Sequence, residues 1–167
     1  AITGSGGFTK IGTGRFVIGG SNGFTGVTTL SAGTVALGSS NALAGGGSLT
    51  FGGGTLQLGT GGATYTNAVT GSGTSVILLD SNANSGTLSG AIYASNTGGL
   101  TKLGAGVVTL SGSNGFTGVT TLRAGTLALG SSNALAGGGS VTFGGGTLQF
   151  SSGNTTDYST RIANSTA

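Results

Sequence analysis

The chain has 167 residues, 40 of them Gly, with five basic and two acidic side chains, a formal charge of +3, and no His, Cys, Met, Trp or Pro. Without His or Cys there is no Ser-His or Cys-His nucleophile, no zinc site of the usual ligands and no disulfide framework. The cations are scattered rather than clustered, which argues against a nucleic-acid binder, and the longest aliphatic run, Val76 to Leu79, is too short for a membrane-spanning helix.

Along the chain one pattern recurs: apolar-x-x-Gly-x-apolar-x-apolar. It appears as IGTGRFVI at 11–18, LSAGTVAL at 30–37 and FGGGTLQL at 51–58, spaced 19 and then 21 residues apart. Turn segments follow in the same step, SNGFTG at 21–26 and SNALAG at 40–45. The segment 70–98 keeps the pattern less well, although VILLDSNANSGTLSGAI at 76–92 still reads as strand, turn and strand. Then the whole arrangement returns as LGAGVVTL at 103–110, LRAGTLAL at 122–129 and FGGGTLQF at 143–150. Residues 7–57 thus align with 99–149 at an offset of 92, and between 20–57 and 112–149 only three of 38 positions differ. Those are Ser31/Arg123, Val35/Leu127 and Leu49/Val141. Two aliphatic swaps and one polar-to-charged change place Val35 and Leu49 inside and Ser31 in solvent.

A period near 20 residues fits either a leucine-rich repeat or a β-solenoid. Frequent Gly opposes the helix that the first requires by about 1 kcal/mol per residue. Apolar residues instead alternate with period two, as in Phe16/Ile18, Val35/Leu37, Leu56/Leu58, Leu127/Leu129 and Leu148/Phe150, with Val17, Ala36, Gln57, Ala128 and Gln149 between them facing out. Short strands separated by Gly corners predict an all-β, single-stranded parallel β-helix. At 19–21 residues per coil it holds about eight coils in one solenoid over 1–167, with long repeats at about 1–90 and 91–167. Stacked coils align equivalent side chains about 4.8 Å apart. Leu37 then falls on Ile18, Leu43 on Phe24 and Asn41 on Asn22. The spacing further predicts an inward corner ladder of Asn22, Asn41, Asn114, Asn133 and Asn154, whose amides satisfy one another and the turn backbone.

The stretch 98–130 resembles the passenger-associated transport repeat of autotransporter passengers and large bacterial surface proteins. The matching residues are Gly-Gly-x-Thr-Lys at 98–102, Gly-x-Gly at 104–106, Phe-Thr-Gly at 116–118 and Thr-Leu-x-x-Gly-Thr-Leu at 121–127, and 6–38 matches nearly as well. The resemblance implies a right-handed parallel β-helix exported to the cell surface. The export leader and the translocating barrel of that family are not in the sequence, so the expectation is either a segment of a longer protein or a chain that reaches the surface by another route.

Chemistry is sparse. Asp80 and Asp157 are the two side-chain carboxylates, and 77 residues apart they cannot form the pair of a glycosidase. No Asp recurs with the glycines as in a calcium-binding β-roll, and no dinucleotide or P-loop fingerprint occurs. The expectation is no enzyme, no metal and no cofactor. Thr28, Thr29, Thr120 and Thr121 form local pairs without the regular Thr face of an ice binder, and Tyr65, Tyr93 and Tyr158 are too scattered for a sugar platform. Lys10 and Lys102 hold the same place in the two repeats and read as solvated charges. The sequons at Asn154 and Asn164 read as accidents.

These features predict a structural stalk, fibre or matrix segment. The alternative is an adhesin domain whose Arg15, Lys102 and Arg123 contact a glycan or host surface. Residues 1–10 resemble 91–102, and 158–167 resemble 65–74, so both ends read as mid-solenoid sequence. The partner expected is therefore more of the same solenoid, as head-to-tail copies or as a longer chain.

Overall fold

A computed structural model describes residues 1–162; the sequon at Asn164 and the end of the 158–167 segment lie outside them. Strands of two to four residues alternate with Gly-rich corners, and every strand pairing is parallel. Among the described residues the single helical element is a 3-10 turn at Ser159–Arg161. The chain winds as a parallel β-solenoid with three faces.

The second face carries the longest stack, seven strands: Arg15–Ile18, Thr34–Leu37, Thr55–Leu58, Ile77–Asp80, Leu100–Leu103, Thr120–Leu122 and Val141–Phe143. The first face holds Phe8–Lys10, Thr28–Leu30 and Leu49–Phe51 and continues through bridges at Val69 and Ile92. The third face begins with Thr3–Gly4 and Gly23–Phe24. It resumes with Ala63–Tyr65, Gly86–Leu88, Val107–Leu110, Thr126–Leu129 and Thr147–Phe150. The stack makes about seven turns rather than the eight expected. The reason lies in the middle segment, where Gln57 pairs with Asp80 and Asp80 with Leu103, so these turns take 23 residues each.

Those longer turns have a second effect. Phe8–Lys10 lies on the first face, but its sequence equivalent in Leu100–Leu103 lies on the second, paired with Ile77–Asp80. Arg15–Ile18 lies on the second face, and its equivalent Val107–Leu110 on the third. The offset of 92 residues is thus four turns plus one face. The two aligned repeats wrap one coil cycle with a one-face rotation between them.

Inside, equivalent apolar residues stack in columns. Leu37 lies on Ile18 as the spacing predicts, and Val35, Leu49, Leu127 and Val141 are all buried. Phe16 and Phe150, expected inside, are 40% and 46% exposed. They sit in the outermost described strands of their stacks, where no further turn among the described residues covers them; Phe16 stacks on Phe8 instead, at 5.3 Å between ring centroids. Ala36, expected outside, is fully buried. It lies between Val17 and Gln57 in the stack, and the Arg15 guanidinium reaches past it to Gln57 Oε1 at 2.8 Å.

The corners depend on Gly. At Gly33 φ is +66°, and a Cβ would fall 2.4 Å from the Gly14 carbonyl oxygen. At Gly125, its equivalent, φ is +61° and a Cβ would fall 2.4 Å from Gly104 O. Backbone passes too close at both corners for any side chain, and the left-handed conformation disfavours one as well.

Candidate functional site

The buried polar groups divide into amides and ammonium groups, and both serve the backbone. Asn22 accepts from Ile2 N at 2.8 Å and donates to Gly19 O and Ala42 O, each at 3.1 Å. Asn114 accepts from Ile92 N at 2.9 Å and donates to Ala134 O at 2.8 Å. Asn154 is buried and accepts from Thr156 N at 3.1 Å. Asn41 and Asn133, the other two members of the expected ladder, are exposed. Their segments wind as tight turns, with Ala42 N bonded to Ser39 O and Ala134 N to Ser131 O, which points the neighbouring Ala and Leu inward instead. The inner amides are completed by Asn67 and Asn96, which the spacing did not single out. Asn22, Asn96 and Asn114 bridge backbone groups of successive turns, Asn67 ties its own turn to the one before it, Asn154 bonds locally, and among the described residues no Asn side chain bonds another.

Asn67 donates to Leu43 O and Gly47 O, at 3.2 and 2.7 Å. In the second repeat the equivalent oxygens, of Leu135 and Gly139, are held by the Arg161 guanidinium. Two different side chains thus close the same backbone bracket.

Lys102 is the largest departure from expectation. It is 0% exposed, not a solvated surface charge, and it stands in the inward column between Leu79 and Leu122. Its Nζ donates to Leu103 O at 2.7 Å, Gly104 O at 2.8 Å, Ala124 O at 3.1 Å and Ser81 Oγ at 2.8 Å. The ammonium thereby satisfies carbonyls of two successive Gly corners, which a buried charge requires. Burial lowers its pKa from 10.5 to about 8, against the opposing pull of the Asp80 charge. Lys10 makes the same type of cap with Ile11 O at 2.7 Å, Gly12 O at 2.6 Å and Ala32 O at 3.4 Å, and is 9% exposed. Parity carried this signal: Leu100 and Phe8 point inward, so the residue two places on does too.

The outer surface of the second face carries Arg15 and Asp80, with Arg123 at its corner. One row reads Arg15, Thr34, Thr55, Leu78, Thr101, Thr121, Thr142; the next reads Val17, Ala36, Gln57, Asp80, Leu103. Arg15 bonds Gln57, and Gln57 Nε2 donates to Asp80 Oδ2 at 2.7 Å. Asp80 Oδ1 accepts from Asn82 N at 2.7 Å, so this carboxylate is engaged on both sides. Asp157 lies far along the stack and accepts from Ser159 N, which holds its pKa below the usual value. Of each Thr pair, Thr28 and Thr120 are buried and only Thr29 and Thr121 face outward. Arg123 is exposed on the corner after Thr120–Leu122, five strands from Arg15, or about 24 Å at the spacing of stacked strands. Arg15, Lys102 and Arg123 therefore form no common patch.

Between Leu78 and Arg123 the surface dips. Gly53, Ser75, Val76, Leu78, Thr101, Leu103 and Arg123 line a groove of about 490 Å³ across the second face. Among the described residues no group of three or more His, Cys, Asp or Glu could hold a metal ion, and no helix is long and apolar enough to cross a membrane.

The passenger-associated-transport-repeat model matches residues 8–37 and 100–129, the same two stretches that the structure places one face apart. The chain is similar to the adhesin BmaC autotransporter of Brucella suis biovar 1 (strain 1330), 40% identical over 149 residues. That match takes in 81% of this chain and spans 4% of the relative's length. No solved structure matches. The two segments that match this repeat model are parts of one parallel β-solenoid.

Proposed function

We propose that this chain is a rigid spacer segment within the exported passenger of a cell-surface protein. The observation that carries the reading is the unbroken second-face sheet, seven parallel strands that run through both repeats and the segment between them. Such a stack has no interdomain hinge, and each turn adds about 4.8 Å of length whatever its outward residues are. The repeat family and the adhesin relative support the exported, surface-bound setting. The apolar rungs at the two ends of the described stack, Phe16 and Phe150, offer surfaces for further coils, from the same polypeptide or from a second copy. The reading needs no catalysis, metal or cofactor.

Duplicating residues 7–98 inside a longer passenger that contains this chain tests it. Four turns and one face should lengthen the rod by about 21 Å without a bend, measured by electron microscopy of the purified passenger. An unchanged length, or a kink at the duplication, overturns the spacer reading.

Adhesion is the second reading. It is favoured by the similarity to an adhesin and by the groove beside the uncommitted Arg123.

A further inference from the structure

We propose that the groove on the second face binds an acidic saccharide, with Arg123 holding its carboxylate. The proposal deepens the adhesion reading and rests on it. Three observations meet at this place. First, of the three differences between 20–57 and 112–149, only the change from Ser31 to Arg123 alters charge, and it lies at the groove. Second, the outward row of the second face is Thr from Thr34 to Thr142 except at Leu78, which is part of the groove lining. Third, the Arg123 guanidinium makes no hydrogen bond or ion pair among the described residues, whereas that of Arg15 is bound to Gln57.

The lining suits a sugar acid. Val76, Leu78 and Leu103 offer an aliphatic floor for the C–H face of a pyranose ring, and Ser75 and Thr101 supply hydroxyls. A guanidinium at one end presents the planar fork that pairs with a carboxylate. No carboxylate lines the groove to repel the ligand, and Asp80 nearby is engaged by Gln57 and Asn82. The volume of 490 Å³ falls within the roughly 300–1,000 Å³ of small-ligand sites. Other polyanions fit less well. A nucleic acid draws on several cations, and here there is one. A peptide that adds as a strand needs an open edge, and the strands flanking this groove are paired on both sides.

Isothermal titration of the full chain with oligogalacturonate, its methyl ester and a neutral maltooligosaccharide is the test. Oligogalacturonate should bind at least tenfold more tightly than either of the others. R123S should remove that preference while preserving the fold, since the first repeat carries Ser at position 31 in an equivalent corner; circular dichroism checks this. L78T should weaken binding several-fold by replacing the aliphatic floor with the hydroxyl row found elsewhere. Equal binding of acid, ester and neutral sugar, or an acid preference that survives R123S, overturns the assignment of this groove. In those cases the adhesion reading stands as long as passenger-coated beads still adhere to glycan-bearing cells. No oligogalacturonate binding overturns the groove assignment too, and loss of bead adhesion in a parallel assay overturns the adhesion reading separately.

Discussion

The two long repeats, which differ at 11 of 51 positions between 7–57 and 99–149, place the same lysine in two different settings. Lys10 lies in the first turn on the first face, with three carbonyl partners and part of its surface open. Lys102 lies mid-stack on the second face, fully enclosed, and the turn beneath it adds a fourth partner, Ser81 Oγ. Sequence identity sets the inward direction of the side chain, and the neighbouring turn sets how far it is desolvated. The comparison also shows that a repeat in sequence need not be a repeat in azimuth, since a longer connection can advance the second copy by one face.

The rotation is the part of this comparison that a single experiment can break outright. In the observed register Thr101 pairs with Leu78 on one outer row. Adjacent positions on neighbouring strands lie within the Cα separation that a disulfide spans. L78C/T101C should therefore oxidise to completion on a non-reducing gel. If the second repeat sat on the same face as the first, Thr101 would leave the row of Leu78 and this disulfide would not close.

Next in size is the contrast between the lysines. Lys102→Met keeps an aliphatic chain in the column but strands buried carbonyls, and should cost about 3 kcal/mol in urea unfolding. Lys10→Met, in a turn that solvent can reach, should cost about 1 kcal/mol. Equal losses would show that burial does not distinguish the two sites.

Gly33→Ala and Gly125→Ala sharpen the comparison from the other side. Both corners combine positive φ with a 2.4 Å approach of backbone oxygen, so both substitutions should cost about 2 kcal/mol despite lying on different corners. Unfolding midpoints that differ widely between them would contradict the equivalence of the corners.

The smallest effect is the pH dependence of Lys102. Its folded pKa of about 8 lies below the ordinary 10.5, so the buried charge weighs on the fold below pH 8. As pH rises from 7 to 9 the folded chain releases the proton while the unfolded chain keeps it. The stability of the wild-type chain relative to Lys102→Met should rise by about 1 kcal/mol over that window. A fall, or no change, would mean that the ammonium stays charged in its carbonyl cage.

Much of this architecture was legible in the residues. Alternation of Val35 with Leu37 and of Leu127 with Leu129 gave the inward columns, and the 19- and 21-residue steps gave the parallel stack. The face rotation was not legible, because it depends on the 23-residue turns through Asp80, and the apolar-Gly pattern does not encode turn length. Lys102 was half legible. Its parity with Leu100 pointed inward, but its charge argued for solvent, and only the carbonyls brought together by two corners resolve that conflict. The Asn positions failed for a different reason. Tight turns at Asn41 and Asn133 turn those side chains out, while Asn67 and Asn96 lie in turns that the repeat alignment did not reach. At the groove, exposure of Arg123 followed from its exchange with Ser31, yet its meeting with Leu78 required the register of strands from separate turns.

A unit of four turns and one face behaves like a thread on a screw. Wherever such units follow one another, each equivalent side chain advances about 21 Å along the axis and a third of the way around it. Three units complete the circuit. A rod threaded in this way has no front or back, and a neighbour approaching from any direction meets the same sequence of side chains at some height.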